Sequence, residues 1–201
     1  MKVNAVDIVL LPDVAIHQKI VAIHKQLNTG DKEQSIALGD VCLPHLSLAM
    51  GGLKVQNREA LFKTIEEIGN SFRGIKLHFD HISQHQNTKG ENINSLEHQN
   101  NDTLKTLHQD IISETANLLE DKVTAEHFTG NEKPNQDSIN WVNDYFEKHS
   151  LKNFNPHITL GTGVFDGNFE EFKAFFKRLA VCHLGNYCTC REILFETSLR
   201  G

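Results

Sequence analysis

Pro44-His45-Leu46-Ser47-Leu48 decides how the rest of the chain is read, because it is echoed at Pro156-His157-Ile158-Thr159-Leu160. Both segments run Pro-His-apolar-hydroxyl-apolar. Side chains alternate across a strand, so each histidine shares a face with the Ser or Thr two residues on, while Leu46 with Leu48, and Ile158 with Leu160, point to the other. Each segment therefore predicts a strand with chemistry on one side and core on the other. A single such pentapeptide is weak, since a histidine on a half-buried strand is more often a hydrogen-bonded structural residue. Two copies in the same residue order, 112 positions apart (157 − 45), carry more weight.

Upstream of the first copy lies an apolar strand at Ile8-Val9-Leu10-Leu11, then a helix capped by Asp13 whose apolar residues, from Val14 to Leu27, repeat with helical spacing up to Gly30. Residues 31 to 37 read as a polar turn. The first motif strand is expected from about Ala37 to Met50, turning at Gly51-Gly52, where the backbone meets no steric cost. Leu61, Phe62, Ile65, Ile68 and Phe72 mark an amphipathic helix from about Arg58 to Phe72. Gly74 opens an alternating strand that puts Ile75, Leu77, Phe79 and His81 on one face and Lys76, His78 and Asp80 on the other. The polar stretch 84 to 103 suits a hairpin with a long mobile tip.

A third helix, about Thr103 to Leu119 with Asp102 as its cap, precedes a loop from Val123 to Gln136. Ser138 or Asp137 then caps a helix reaching about Lys148, on which Trp141 and Tyr145 sit i, i+4 and read as core rather than as a stacking platform. After the second motif, Phe169, Phe172, Phe175 and Phe176 predict another amphipathic helix. The chain closes with two strands joined at Gly185-Asn186, a register that places Val181, His183, Cys188 and Cys190 on one face and Cys182 on the other.

The 201 residues suit one compact domain in two lobes, and 39% hydrophobic and 23% charged residues fit a globular chain. No stretch approaches the ~20 apolar residues that span a bilayer. The start of the sequence lacks the pattern of a secretory leader, so the cytoplasm is the expected location. A formal net charge of −6 argues against long duplexes as partners, because non-specific nucleic-acid binding depends on Lys and Arg neutralising phosphates. A small nucleotide or an RNA end needs only a local pocket. Cys42, Cys182, Cys188 and Cys190 are too few for a secreted disulfide scaffold, which makes reduced thiols the default.

The paired motifs suggest chemistry on their own. Two imidazoles at one cleft can divide acid and base work near neutrality, since histidine titrates at ~6.5 and small shifts leave one neutral and one protonated. Ser47 and Thr159 supply hydroxyl donors for non-bridging phosphate oxygens. That set serves phosphodiester cleavage with no metal or other cofactor and suits a 2′,3′-cyclic phosphate. One His-apolar-(Ser/Thr)-apolar in each half of the chain, together with the order of elements, resembles the two-histidine (2H) phosphoesterase superfamily, the LigT-like or 2′-5′ RNA ligase-like proteins. The resemblance implies a pseudo-symmetric bilobal α+β fold with antiparallel sheets lining a central cleft, with His45 and His157 as catalytic residues and Ser47 and Thr159 as phosphate-binding ones. It also implies hydrolysis of cyclic nucleotide phosphates or cleavage of 2′-5′ linkages, with ligation as the reverse activity of some members.

Two other readings compete. The first is a non-catalytic module that binds a nucleotide or RNA end in the same cleft. The second is a zinc protein. For it, His78, His81 and His85 are poorly placed, because His78 and His81 point to opposite faces, and Cys188 and Cys190 with His183 lack the usual paired Cys-x2-Cys knuckles. Cys42 faces away from His45 and is a poor nucleophile. Gly161-Thr162-Gly163 lacks the third glycine and helix start of a phosphate loop, and more simply lets the second motif strand turn at the cleft rim.

Overall fold

The computed structural model describes residues 2–30, 34–120 and 122–201, so residues 31 to 33 of the expected polar turn lie outside it. In chain order the elements are β1 (Val3–Leu11), α1 (Val14–His24), β2 (Leu27–Asn28), β3 (Leu46–Lys54), α2 (Arg58–Ser71), β4 (Ile75–Gln86), β5 (Asn92–His98), α3 (Asp102–Thr115), β6 (Leu119–Glu120), α4 (Gln136–Asp144), β7 (Ile158–Thr162), β8 (Val164–Phe165), β9 (Phe172–Phe176), β10 (Arg178–Gly185) and β11 (Thr189–Ser198). Two antiparallel sheets carry the molecule. One has the order β11-β10-β1-β3-β6, the other β7-β5-β4-β9, and β2 with β8 form a two-stranded ladder.

Each motif begins a strand. β3 lies beside β1 in the larger sheet, and β7 lies beside β5 in the smaller. Leu46, Leu48, Ile158 and Leu160 are fully buried, as the alternation requires. The burial of β1 is continuous from Ala5 to Leu11, because it is covered on both faces as a central strand.

Several expected boundaries move. The chain from 34 to 45 is irregular, and β3 begins only at Leu46. Gly51 and Gly52 do not turn the chain; they lie inside β3, where a Cβ on Gly51 would come within 2.9 Å of the Leu119 side chain and one on Gly52 within 3.1 Å of Val123 and Val3. These glycines admit β6 and its neighbours at close range. Asp13 caps α1 through Ile16 N–H as expected, but α1 stops at His24. The caps of α3 and α4 are Asn101 and Asn135, each one to three residues before the expected Asp102 or Asp137/Ser138, and α3 stops at Thr115.

The phenylalanine cluster is a strand, not a helix. Phe172, Ala174 and Phe176 point inward while Lys173 and Phe175 point out, and β9 pairs with β4 from Ile75↔Phe176 to Phe79↔Phe172. Spacings of three and four fit a helix, but the period-two pattern inside them wins because it completes the edge of the second sheet.

At the closing hairpin, Asn186 to Cys188 form a three-residue turn in place of the expected two-residue loop, with Tyr187 and Cys188 at positive φ. Bulges between Val181 and Cys182 and between His183 and Leu184 change the expected facing, and Cys182 and Cys190 form a disulfide with Cα atoms 5.5 Å apart. The expectation of reduced thiols fails for this pair. It also removes Cys190 from the zinc set.

Candidate active site

The four motif residues His45, Ser47, His157 and Thr159 line one cavity of about 260 Å3 between the two motif strands. In each motif the histidine ring is set the same way. His45 Nδ1 is 2.8 Å from the Leu43 carbonyl, and His157 Nδ1 is 2.9 Å from the Asn155 carbonyl, in both cases two residues back. A carbonyl only accepts, so Nδ1 carries the hydrogen and Nε2 is the reactive nitrogen. Among the described residues neither Nε2 makes a hydrogen bond.

The strands behind these rings are held by a second matched pair of histidines that the sequence reading passed over. His108 of α3 donates from Nδ1 to the Leu48 carbonyl at 2.7 Å, and His24 of α1 donates from Nδ1 to the Leu160 carbonyl at 2.8 Å. Leu48 and Leu160 are the last residues of the two motifs. His108 also accepts the Leu151 N–H on Nε2 at 2.8 Å and stacks on Phe154, which lines the cavity. Burial pushes both histidines below the usual imidazole range, so each stays neutral. The spacing of His24 and His108 carried no signal because their partners are remote in sequence.

The two halves differ behind the hydroxyls. Asp7 of β1 is fully buried, with Oδ2 hydrogen-bonded to Ser47 Oγ at 2.6 Å and 3.7 Å from His45 Nε2. Desolvation drives the Asp7 carboxyl well above the carboxylate range, against smaller lowering effects of Ser47 and the Leu48 backbone. Opposite Thr159, the register partner on β5 is Ser95, also buried. Asp7 lies just before the Ile8-Val9-Leu10-Leu11 run and was not singled out from the sequence. The signal present was one acid inside an otherwise apolar strand.

Burial also acts on His45. It pushes the imidazole below its ordinary value, with the nearby His157 adding in the same direction and the Leu43 carbonyl opposing. The cavity holds no compensating cation: among the described residues no Lys or Arg lines it.

One wall is aromatic. Tyr145 is buried as expected, but Trp141 is 42% exposed, stacks on His149 at 3.7 Å between ring centroids, and lines the cavity. Both Tyr145 and His149 lie on a π-helical turn, Tyr145 to His149, that extends α4 and brings them to the same wall. Glu91 closes the rim by accepting from Ser35 Oγ, Asn87 Nδ2 and Tyr187 OH. The thiols are poor nucleophiles. Burial pushes Cys42 up to about 11 and raises Cys188 further, Asp7 adding to the latter. His78 and His81 turn to separate partners, Glu171 and Asp80. No described helix is long and apolar enough to cross a membrane.

No sequence-family model matches the chain, and no curated protein does. Solved structures do. Escherichia coli LigT complexed with phosphate superposes with a TM-score of 0.60 at 14% identity, and the match covers 100% of both chains. LigT of the same organism complexed with 3′-AMP gives 0.62 at 14% identity over 100% of both chains. A Thermus thermophilus protein gives 0.61 at 14% identity over 98% of each. At this identity the likeness concerns the fold alone: the chain has a LigT-like fold.

Proposed function

We propose that this protein is a phosphoesterase that opens 2′,3′-cyclic phosphates or cleaves 2′-5′ phosphodiesters at the end of a nucleotide or RNA. The observation that carries the reading is the matched seating of His45 and His157, each tied at Nδ1 to a backbone carbonyl and each beside its hydroxyl on one cavity. LigT has been solved with phosphate and with 3′-AMP, ligands of the same chemistry.

His45 is the base, because burial favours its neutral form. Its Nε2 takes a proton from water as the water oxygen bonds to phosphorus. The bond from phosphorus to the 2′ oxygen breaks, and His157 gives that oxygen a proton. The pair ends with its protons exchanged and resets through solvent. Ser47 and Thr159 donate to the non-bridging oxygens. Ligation reverses a different step, in which the 3′ hydroxyl beside a 2′-5′ linkage bonds to phosphorus, the bond from phosphorus to the 5′ oxygen breaks and that oxygen takes a proton; run backwards, a 5′ hydroxyl opens a 2′,3′-cyclic phosphate. The route needs no metal. The Trp141 wall offers a face on which a base can stack.

Hydrolysis of 2′,3′-cyclic nucleotides, then of 2′-5′-linked oligonucleotides, tests the reading. Activity should persist in chelator, and His45→Ala and His157→Ala should each lower kcat by about 10²–10⁴-fold. A wild type that binds 3′-AMP without hydrolysing either substrate would leave a binding module in its place.

A further inference from the structure

The hydroxyl of Ser47 cannot serve two acceptors. It has one hydrogen, and Asp7 Oδ2 lies 2.6 Å from its oxygen. If Asp7 were a carboxylate it would take that hydrogen, leaving Ser47 nothing to donate to a phosphate. It would also place a negative charge at the back of a cavity that must accept an anion and has no Lys or Arg lining it among the described residues. A carboxylic acid reverses both effects.

We propose that Asp7 is a positioning residue for phosphate: its carboxyl donates to Ser47 Oγ, and this turns the Ser47 hydrogen into the cavity. The inference rests on the phosphoesterase reading for its ligand. Asp7 is 0% exposed and does not line the cavity, so it acts only through Ser47 and the ring of His45. The titratable groups that face it are His45, the residue just before β3, the Tyr145 phenol on the π-helical turn and the Cys188 thiol in the last hairpin. Its register partners, Met50 on β3 and Cys182 on β10, carry no charge, the second being in a disulfide. Among the described residues no Lys or Arg pairs with it. At 3.7 Å, His45 Nε2 is beyond hydrogen-bond length, and burial favours its neutral form, so it is a poor cationic partner for the carboxyl. Burial, with no cationic partner, supports the protonated form.

The experiment compares wild type with Asp7→Asn, Asp7→Ala and Ser47→Ala. It measures inorganic phosphate affinity by calorimetry, kcat and KM on a 2′,3′-cyclic nucleotide, and the infrared carboxyl band of folded protein at neutral pH. Asparagine keeps a neutral donor at the same place. The expected result is phosphate affinity for Asp7→Asn within about threefold of wild type. Asp7→Ala and Ser47→Ala should each lose about tenfold, the size of one hydrogen bond to a charged acceptor, and the double variant should lose no more than either. A protonated-carboxyl band in wild type should vanish in Asp7→Asn. If Asp7→Ala does not fold, the Asp7→Asn affinity and the band decide. A loss in Asp7→Asn as large as in Ser47→Ala, or no band in wild type, overturns the proposal. Phosphate binding and the band without hydrolysis refute the catalytic reading and leave Asp7 in place. A wild type that binds no phosphate refutes both.

Discussion

His45 and Asp7 face each other across 3.7 Å, and burial moves both toward their uncharged forms. For His45 the consequence is kinetic. On the proposed mechanism His45 is the base and must be neutral, so activity should be lost as pH falls and the imidazole protonates. Its value is displaced downward, so the acidic limb of kcat/KM against pH should lie below the ~6.5 of an ordinary histidine. A limb at or above that value would assign the base elsewhere. For Asp7 the consequence is thermodynamic. The folded state holds this proton more tightly than the unfolded chain, so its contribution to stability is complete below about pH 3.9 and is lost as pH rises through the folded value, by at most about 1.4 kcal/mol per pH unit. Denaturant midpoints across pH should therefore fall less steeply for Asp7→Asn than for wild type, and parallel curves would show that Asp7 keeps an ordinary acidity. Of these residues the motif histidines were legible because they repeat; Asp7 was not, since its partner Ser47 is 40 positions away.

At the scale of elements, the motif strands are pinned from behind by one buried histidine each, His108 on Leu48 and His24 on Leu160. Replacing either by leucine leaves a strand carbonyl unpaired in the interior, which costs about 1–3 kcal/mol. His24→Leu and His108→Leu should each lower stability by that amount in equilibrium denaturation, with His108 the more costly because its Nε2 also accepts from Leu151 N–H. Equal stability to wild type would mean that water or a shifted backbone satisfies the carbonyl. Helices were readable from a cap, as at Asp13, or from an apolar stripe, as along α2. They were misread where the decisive fact was a neighbour. Phe172 to Phe176 is a strand because β4 offers an edge, and Gly51 with Gly52 sit in a strand because β6 passes against them. Neither neighbour is local in sequence, and the Cys182–Cys190 disulfide depends in the same way on two bulges that no spacing rule reveals.

At the scale of the whole molecule, strand alternation in the duplicated motif gave each motif strand one chemical face, and the two-sheet plan around a common cleft was legible only through the family that the motif pair resembles. The charge distribution was legible only in total. The net charge of −6 leaves room for a local basic pocket, yet among the described residues no Lys or Arg lines this one. On the proposed reading, anion binding rests on hydroxyls, amides and one protonated catalytic imidazole, so about one counterion is released on binding, and log affinity should fall with log salt at a slope near −0.7. Between 50 and 200 mM salt this amounts to a loss of about threefold or less. Lengthening a 2′-5′ oligonucleotide from two to six residues should likewise change Kd by no more than about threefold, because added phosphates leave the cavity and a chain of net charge −6 offers them no overall attraction. Fluorescence anisotropy across salt and length measures both. A slope of −3 or steeper, or affinity that climbs with each phosphate, would mean that the protein reads the RNA body, and the end-specific assignment would fall.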